Sequence, residues 1–508
     1  MKAQSLVPLV SLALLLAHCG DDSDEPHSQD DAAVNAVEDG AVAGDGALVD
    51  AALRPSFGPP ALPNSRTAPN GWATQHGDTA ASDTTPLPGP GAAPVSVQRV
   101  DLSAACPSIL IDSRGQPLAV CTQLANRIPT VYLLDAASGQ PLAQLELAKG
   151  DLFGGVYPYL DHEDRLQVVD GANSLLRISP QQSGTGYTLV VEESISLAAP
   201  LGTECGRERC DVIVGLAPDY AGRIWFATAA GTVGVVDRAT RNISTLALPA
   251  DEQIANSLAT APEGVAVVSD HALYLLDADE RGVPRIRSRS SYDRGVARKP
   301  GQLSQGSGST PTFFGPVSGS EYVAITDNAR PDMHLLVFRA RDLSEELCSV
   351  ALPSEAGSGS ENSPIGIGRS VFVSNTYGYA YPALPEGTGP SEPESASFAG
   401  GMARVDVAVD ERSCSLQWSN PVRSTAVPKL SLPDGLIYTV ERTLPQAGAE
   451  SQSEGYAYSV IDAVDGKLVA QQPLPGLPDT LQLAGTIAPG RVLLQGTTLG
   501  LVRIQPMP

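Results

Sequence analysis

The sequence predicts an all-β fold, a β-propeller of eight blades whose ring is closed by pairing an N-terminal strand with the C-terminal one. Three observations predict it. Glycine and proline are abundant, 49 and 42 of 508 residues, and long apolar stripes at helical spacing are absent, which favours short strands joined by turns. A hairpin phrase, "TVYLLDAASGQPLAQLEL" at 130–147, returns at 458–474 as "YSVIDAVDGKLVAQQPL" and in weaker copies between. The last copy is one strand short, and "VSVQRVDL" at 95–102 is an alternating run suited to complete it.

The elements follow in chain order. "MKAQSLVPLVSLALLLAHC" has one Lys, an apolar run from Leu6 to Ala17 and then Cys19, the layout of a secretory signal and too short to span a bilayer. Leu16-Ala17-His18-Cys19 resembles the lipobox of bacterial lipoproteins, with His18 where that pattern has a small residue. Residues 1–19 are therefore read as a lipoprotein-type signal and Cys19 as the lipidation site. Residues 20–94 are rich in Asp, Ala, Pro, Gly, Ser and Thr, with ten acidic and no basic residues between 21 and 50. Such a stretch buries too little apolar surface to offset its ordering entropy, so it is expected to be a disordered acidic tether. Residues 95–508 are expected to form the propeller.

The repeat is marked by Asp135, Asp237, Asp277, Asp406 and Asp462, and by Arg177, Arg339 and Arg503 where the Asp is lost. The marks lie about 40 to 67 residues apart, the length of a four-stranded blade with loop insertions. Eight marks give eight blades. Seven is the other count, because "YPYLDHEDRLQVVDGANSLLRIS" is the least regular unit. The Asp ends a strand and can accept turn N–H groups, while the Gly supplies the positive φ of a tight hairpin, so these Asp residues are structural.

Six further cysteines, Cys106, Cys121, Cys205, Cys210, Cys348 and Cys414, are an even set in a chain bearing an export signal and are read as disulfides. Proximity pairs Cys106 with Cys121, Cys205 with Cys210 and Cys348 with Cys414, among the connectivities that six cysteines allow.

These phrases resemble the repeats of the quinoprotein-like (PQQ-binding-like repeat) β-propeller superfamily, whose blades carry a strand, Asp, two residues, Thr-Gly and a return strand. Ser138 and Asp465 stand at the Thr position. The resemblance covers residues 95–508 and implies the fold. In the family, pyrroloquinoline quinone dehydrogenases carry a recurring Trp after the turn, with paired cysteines and calcium ligands at the quinone. Here Trp occurs only at Trp72, Trp225 and Trp418 and no cysteines are adjacent, so pyrroloquinoline quinone is not an expected cofactor. The family also holds non-catalytic lipoproteins that scaffold outer-membrane assembly, which a tethered propeller matches more closely.

The net charge of -24 excludes a nucleic-acid partner, since phosphate binding needs clustered Lys and Arg. The chain has no G-x-S-x-G, H-E-x-x-H or P-loop motif. Of six histidines, His18, His27 and His76 fall in the leader, and His162, His271 and His334 are scattered over separate repeats. The alternating Arg285, Arg287 and Arg289 mark the exposed face of an outer strand.

In a propeller the innermost strands line a central channel, and their starts converge at one mouth. Those starts hold Tyr157, Asn256, Thr310, Glu361, Asn362 and Lys429, more polar than a structural strand requires and suited to a small polar ligand. A water-filled channel of mutually satisfied side chains is the simpler account. Asp327, Asn328 and Asp332 offer oxygen ligands for calcium, although their spacing matches no EF-hand and equally suits a plain loop. The expectation is a lipid-anchored binding or scaffold module of the bacterial cell envelope, held at the outer membrane, with protein or a small polar molecule as partner. The rival is an extracytoplasmic enzyme at the channel mouth, with Glu361 as acid or base and Lys429 as electrostatic stabiliser.

Overall fold

A computed structural model describes residues 57–69, 71–150, 157–184, 186–201, 211–385, 388–444 and 455–507. Among these there is no helix; the strands form eight sheets, one per blade, in a ring. Blade 1 runs outward as Ala104–Ile111, Pro117–Gln123, Pro129–Leu134 and Pro141–Glu146, each antiparallel to the next. Blades 2 to 7 repeat this order over 159–196, 213–247, 259–291, 312–352, 365–420 and 429–473. The irregular unit near Asp161 is a full blade, the second. Blade 8 takes its outer strand from Val95–Asp101, paired antiparallel with Gly500–Pro506 from Val95 opposite Pro506 to Asp101 opposite Gly500. The ring is closed as expected.

The core is not central. Eight hydrophobic clusters lie one at each seam between neighbouring blades. Strand periodicity explains how one sheet serves two seams: Leu118 and Val120 point toward blade 2, while Ala119 and Cys121 point toward blade 8. Both faces of the inner strands are therefore buried, which is why they read as unbroken apolar runs.

The hairpin phrase behaves as its chemistry dictates. Asp135 accepts the Ser138 N–H at 2.8 Å and its hydroxyl at 2.7 Å, and Gly139 holds a φ of 71°. Asp237 and Asp462 take the turn amides of Thr240 and Val464 in the same way. The disulfide Cys106–Cys121 joins the two inner strands of blade 1, and Cys348–Cys414 joins the outer strands of blades 5 and 6. Both are compatible with an extracytoplasmic protein. Cys19, Cys205 and Cys210 lie outside the described residues.

One expectation is corrected. The tether does not extend to 94: residues 57–94 pack into the propeller as a plug across the channel, while 20–56 lie outside the described residues. The inner strands end inward in unpaired backbone groups, and the plug supplies their partners. Its carbonyls at Trp72, Ala73, Thr79, Ala80, Ser82 and Asp83 accept the amides of Ile111, Leu160, Thr260, Phe313, Gly366 and Leu430, from blades 1, 2, 4, 5, 6 and 7. Blade 3 offers Pro218, which has no N–H, and there the direction reverses: Asn64 Nδ2 donates to the Pro218 carbonyl at 3.0 Å. In blade 8, Arg491 Nε donates to the Gly89 carbonyl at 3.0 Å. Thr84–Thr85 adds a parallel strand inside blade 7. Composition hid this order because backbone pairing, not apolar periodicity, creates it.

Candidate functional site

Above the plug lies a cavity of about 200 Å³. Its wall is built from the starts of inner strands, as the topology requires, and includes Tyr157, Asn256, Thr310 and Glu361. Two further elements complete it. The plug contributes Gln75 and His76 to the floor, and the insertion between Ser370–Ser374 and Met402–Val407 contributes Tyr381, Pro382 and Ala383. Leu303, Val427, Leu481 and Leu483 give it apolar walls.

Each polar group is held by a local cause. The Glu361 N–H donates to Thr376 Oγ1 at 2.9 Å, and Glu361 Oε2 accepts the Leu303 N–H at 3.0 Å. Burial pushes the Glu361 carboxyl up to about 8, against the lowering effects of that N–H and of Arg298. Burial likewise raises Tyr157 and Tyr381, and the nearby Glu361 adds to both. Both phenols stay protonated at neutral pH. The Tyr381 ring sits edge-on to Tyr379, centroids 4.7 Å apart, and Tyr379 is anchored through its hydroxyl to Asp479.

His76 is the residue that sequence reasoning missed. Its Nδ1 lies 3.1 and 3.2 Å from the two Asp83 oxygens, and its ring stacks on Tyr157 at 6.4 Å. Asp83 is fully buried and also accepts Ser363 Oγ at 2.5 Å and the Lys429 ammonium. Burial alone would push the Asp83 carboxyl up, but Lys429 and His76 outweigh it and hold it below the usual carboxylate range. Gly77, at φ 92°, lets the plug turn here: a Cβ would meet the Thr84 carbonyl oxygen at 2.8 Å.

Four buried polar atoms near the cavity have no hydrogen-bond partner: His76 Nε2, Asn256 Nδ2, the Tyr381 hydroxyl and Asn362 Oδ1. Unsatisfied buried groups are rare in folded proteins because each costs roughly 1–3 kcal/mol. The first three line one cavity and give a ligand several bonds to complete.

Not every expected residue faces that space. Lys429 lies beneath the floor, fully buried, its ammonium spent on Asp83 and 4.9 Å above the Trp72 ring. It is a structural counter-ion rather than a ligand contact. Asn362 stands behind the wall, its Nδ2 donating to Gln482 Oε1 at 3.0 Å. Asp327 accepts the His334 N–H at 2.6 Å and its Nδ1 at 2.9 Å, and Asn328 Nδ2 donates to the Arg294 and Ala297 carbonyls. These bonds make the segment with Asp332 a tied loop, and among the described residues no three His, Cys, Asp or Glu gather as metal ligands. Arg285 and Arg289 lie on the outer strand Pro284–Ser291, paired with Asp277 and Glu252.

No family model matches the chain. An uncharacterized protein of Archaeoglobus fulgidus is 37% identical over 142 residues, 26% of this chain, and the match spans only 27% of that relative's length. Among solved structures, the β-propeller domain of Cps50 (Swd1) from Myceliophteria thermophila is 10% identical with a TM-score of 0.40, covering 82% of this chain and 100% of that one. U3-55K gives 9% and 0.40, covering 83% and 100%. Streptogramin B lyase gives 10% and 0.39, covering 81% and 97%.

Proposed function

We propose that the chain is an exported, lipid-anchored binding module of the bacterial cell envelope whose plugged channel holds one small polar ligand. The observation that carries the reading is the group of unpartnered buried atoms, His76 Nε2, Asn256 Nδ2 and the Tyr381 hydroxyl, around a cavity of about 200 Å³ with apolar walls. Anchoring rests on the lipobox-like Leu16-Ala17-His18-Cys19 and agrees with the disulfides. The quinoprotein-like repeat phrases support kinship with envelope lipoproteins, in which a propeller serves as a scaffold.

The test is the intact mass of protein purified with detergent from its native envelope, recorded under native and then denaturing conditions. The expected result is a chain beginning at an acylated Cys19, carrying a small molecule that is lost on denaturation. Protein that carries no such molecule, and whose melting temperature no small polar compound raises, overturns the reading.

A further inference from the structure

We propose that the cavity is catalytic, His76 activating water for the hydrolysis of an uncharged carboxylic ester or lactone. The inference rests on the ligand-binding reading and deepens it. Asp83 is an ionised acceptor 3.1 Å from His76 Nδ1, so Nδ1 carries the proton and Nε2 presents its lone pair. That nitrogen is buried, partnerless and in the cavity floor. Lys429 and Ser363 fix Asp83 from its other sides, which makes Asp83 a positioning residue. Ser363 is not the nucleophile, because its Oγ lies 3.0 Å from Nδ1, on the side of the ring away from Nε2. Water has to take that place.

The remaining groups fit acyl transfer. Asn256 Nδ2 and the Tyr381 hydroxyl are unpartnered donors suited to a developing oxyanion. Glu361, buried and only weakly offset by Arg298, holds a proton at neutral pH that it can give to a leaving oxygen. The phenols of Tyr157 and Tyr381 face the same space and are neutral. Lys429 is cancelled by Asp83, and among the described lining residues no Lys or Arg stands, so an uncharged substrate is matched. One small molecule fills a cavity of this volume and meets all of these groups.

In the reaction, His76 Nε2 takes a proton from water as the water oxygen bonds to the acyl carbon. The carbonyl electron pair moves onto oxygen, held by Asn256 and Tyr381. As that pair returns, the bond to the alkoxide oxygen breaks and Glu361 gives it a proton. The products are a carboxylic acid and an alcohol, and the imidazolium returns its proton to the Glu361 carboxylate through water.

The experiment uses the full chain with p-nitrophenyl acetate, and follows binding of its ketone isostere 4-nitrophenylacetone by calorimetry. Saturable p-nitrophenolate release is expected, falling about 100-fold or more in His76→Gln, by far more than ketone affinity falls. Asp83→Asn lowers kcat at constant KM. On ethyl acetate, whose leaving alkoxide needs that proton, Glu361→Gln removes the fall in kcat/KM above pH about 8, a readout that holds even where the His76 variant fails to fold. Ketone binding without turnover overturns catalysis and leaves the binding reading intact, and so does turnover indifferent to His76→Gln. A ketone that does not bind and an ester that is not cleaved overturn the substrate assignment, while the co-purified ligand decides the binding reading separately.

Discussion

Glu361 holds a proton in the fold that the unfolded chain releases near the ordinary glutamate value of 4.5. Between that value and about 8 the folded state binds more protons, so stability falls as pH rises, by roughly 1.4 kcal/mol per pH unit. Above about 8 this contribution is fully lost. Glu361→Gln keeps a neutral side chain of the same shape and is expected to remove the slope. Urea denaturation of both proteins at pH 5 and pH 8 checks it, and equal losses in the two would contradict the assigned burial. This residue was legible in the sequence because topology alone brings the starts of inner strands to one mouth. Lys429 was legible as polar in an apolar strand, but its role depends on Asp83, which no local pattern connects to it. Orphaned polarity in an inner strand signals a partner without saying whether that partner is a ligand or the chain itself.

At the scale of elements, hairpins were readable and the plug was not, for one physical reason. Turn chemistry is local: Asp135 and Gly139 act within five residues, and Asp462 and Gly466 repeat them. The strand at Val95–Asp101 was readable because the last repeat lacked one. The plug is ordered by carbonyls that accept amides from six blades, a pairing that any side chain permits. Its main apolar anchor is Trp72, fully buried between blades 8 and 1 and beneath the Lys429 ammonium. Trp72→Ala is expected to cost about 3–5 kcal/mol and to loosen the segment that carries His76. Urea denaturation gives the first, and limited proteolysis should find new cleavage within 57–94 before any in the blades. Cleavage that begins in the blades would mean that the plug is not the separately loosened element.

The whole molecule is a ring of seams, so its cooperativity depends on what ties distant parts of the chain. Neighbouring blades pack across eight apolar clusters, and the pairing of Val95–Asp101 with Gly500–Pro506 makes the eighth possible. The two disulfides act at different ranges. Cys106–Cys121 spans 15 residues inside one blade, already held by its hairpin, whereas Cys348–Cys414 spans 66 and fastens blade 5 to blade 6. A cross-link removes more freedom from the unfolded chain the longer its loop, so the second should stabilise more, by about 1 kcal/mol. Paired serine substitutions, compared by urea denaturation under oxidising conditions, separate the two. Equal losses, or a larger loss for the Cys106 and Cys121 pair, would place the restraint within blades and leave the ring to be held by its seams alone.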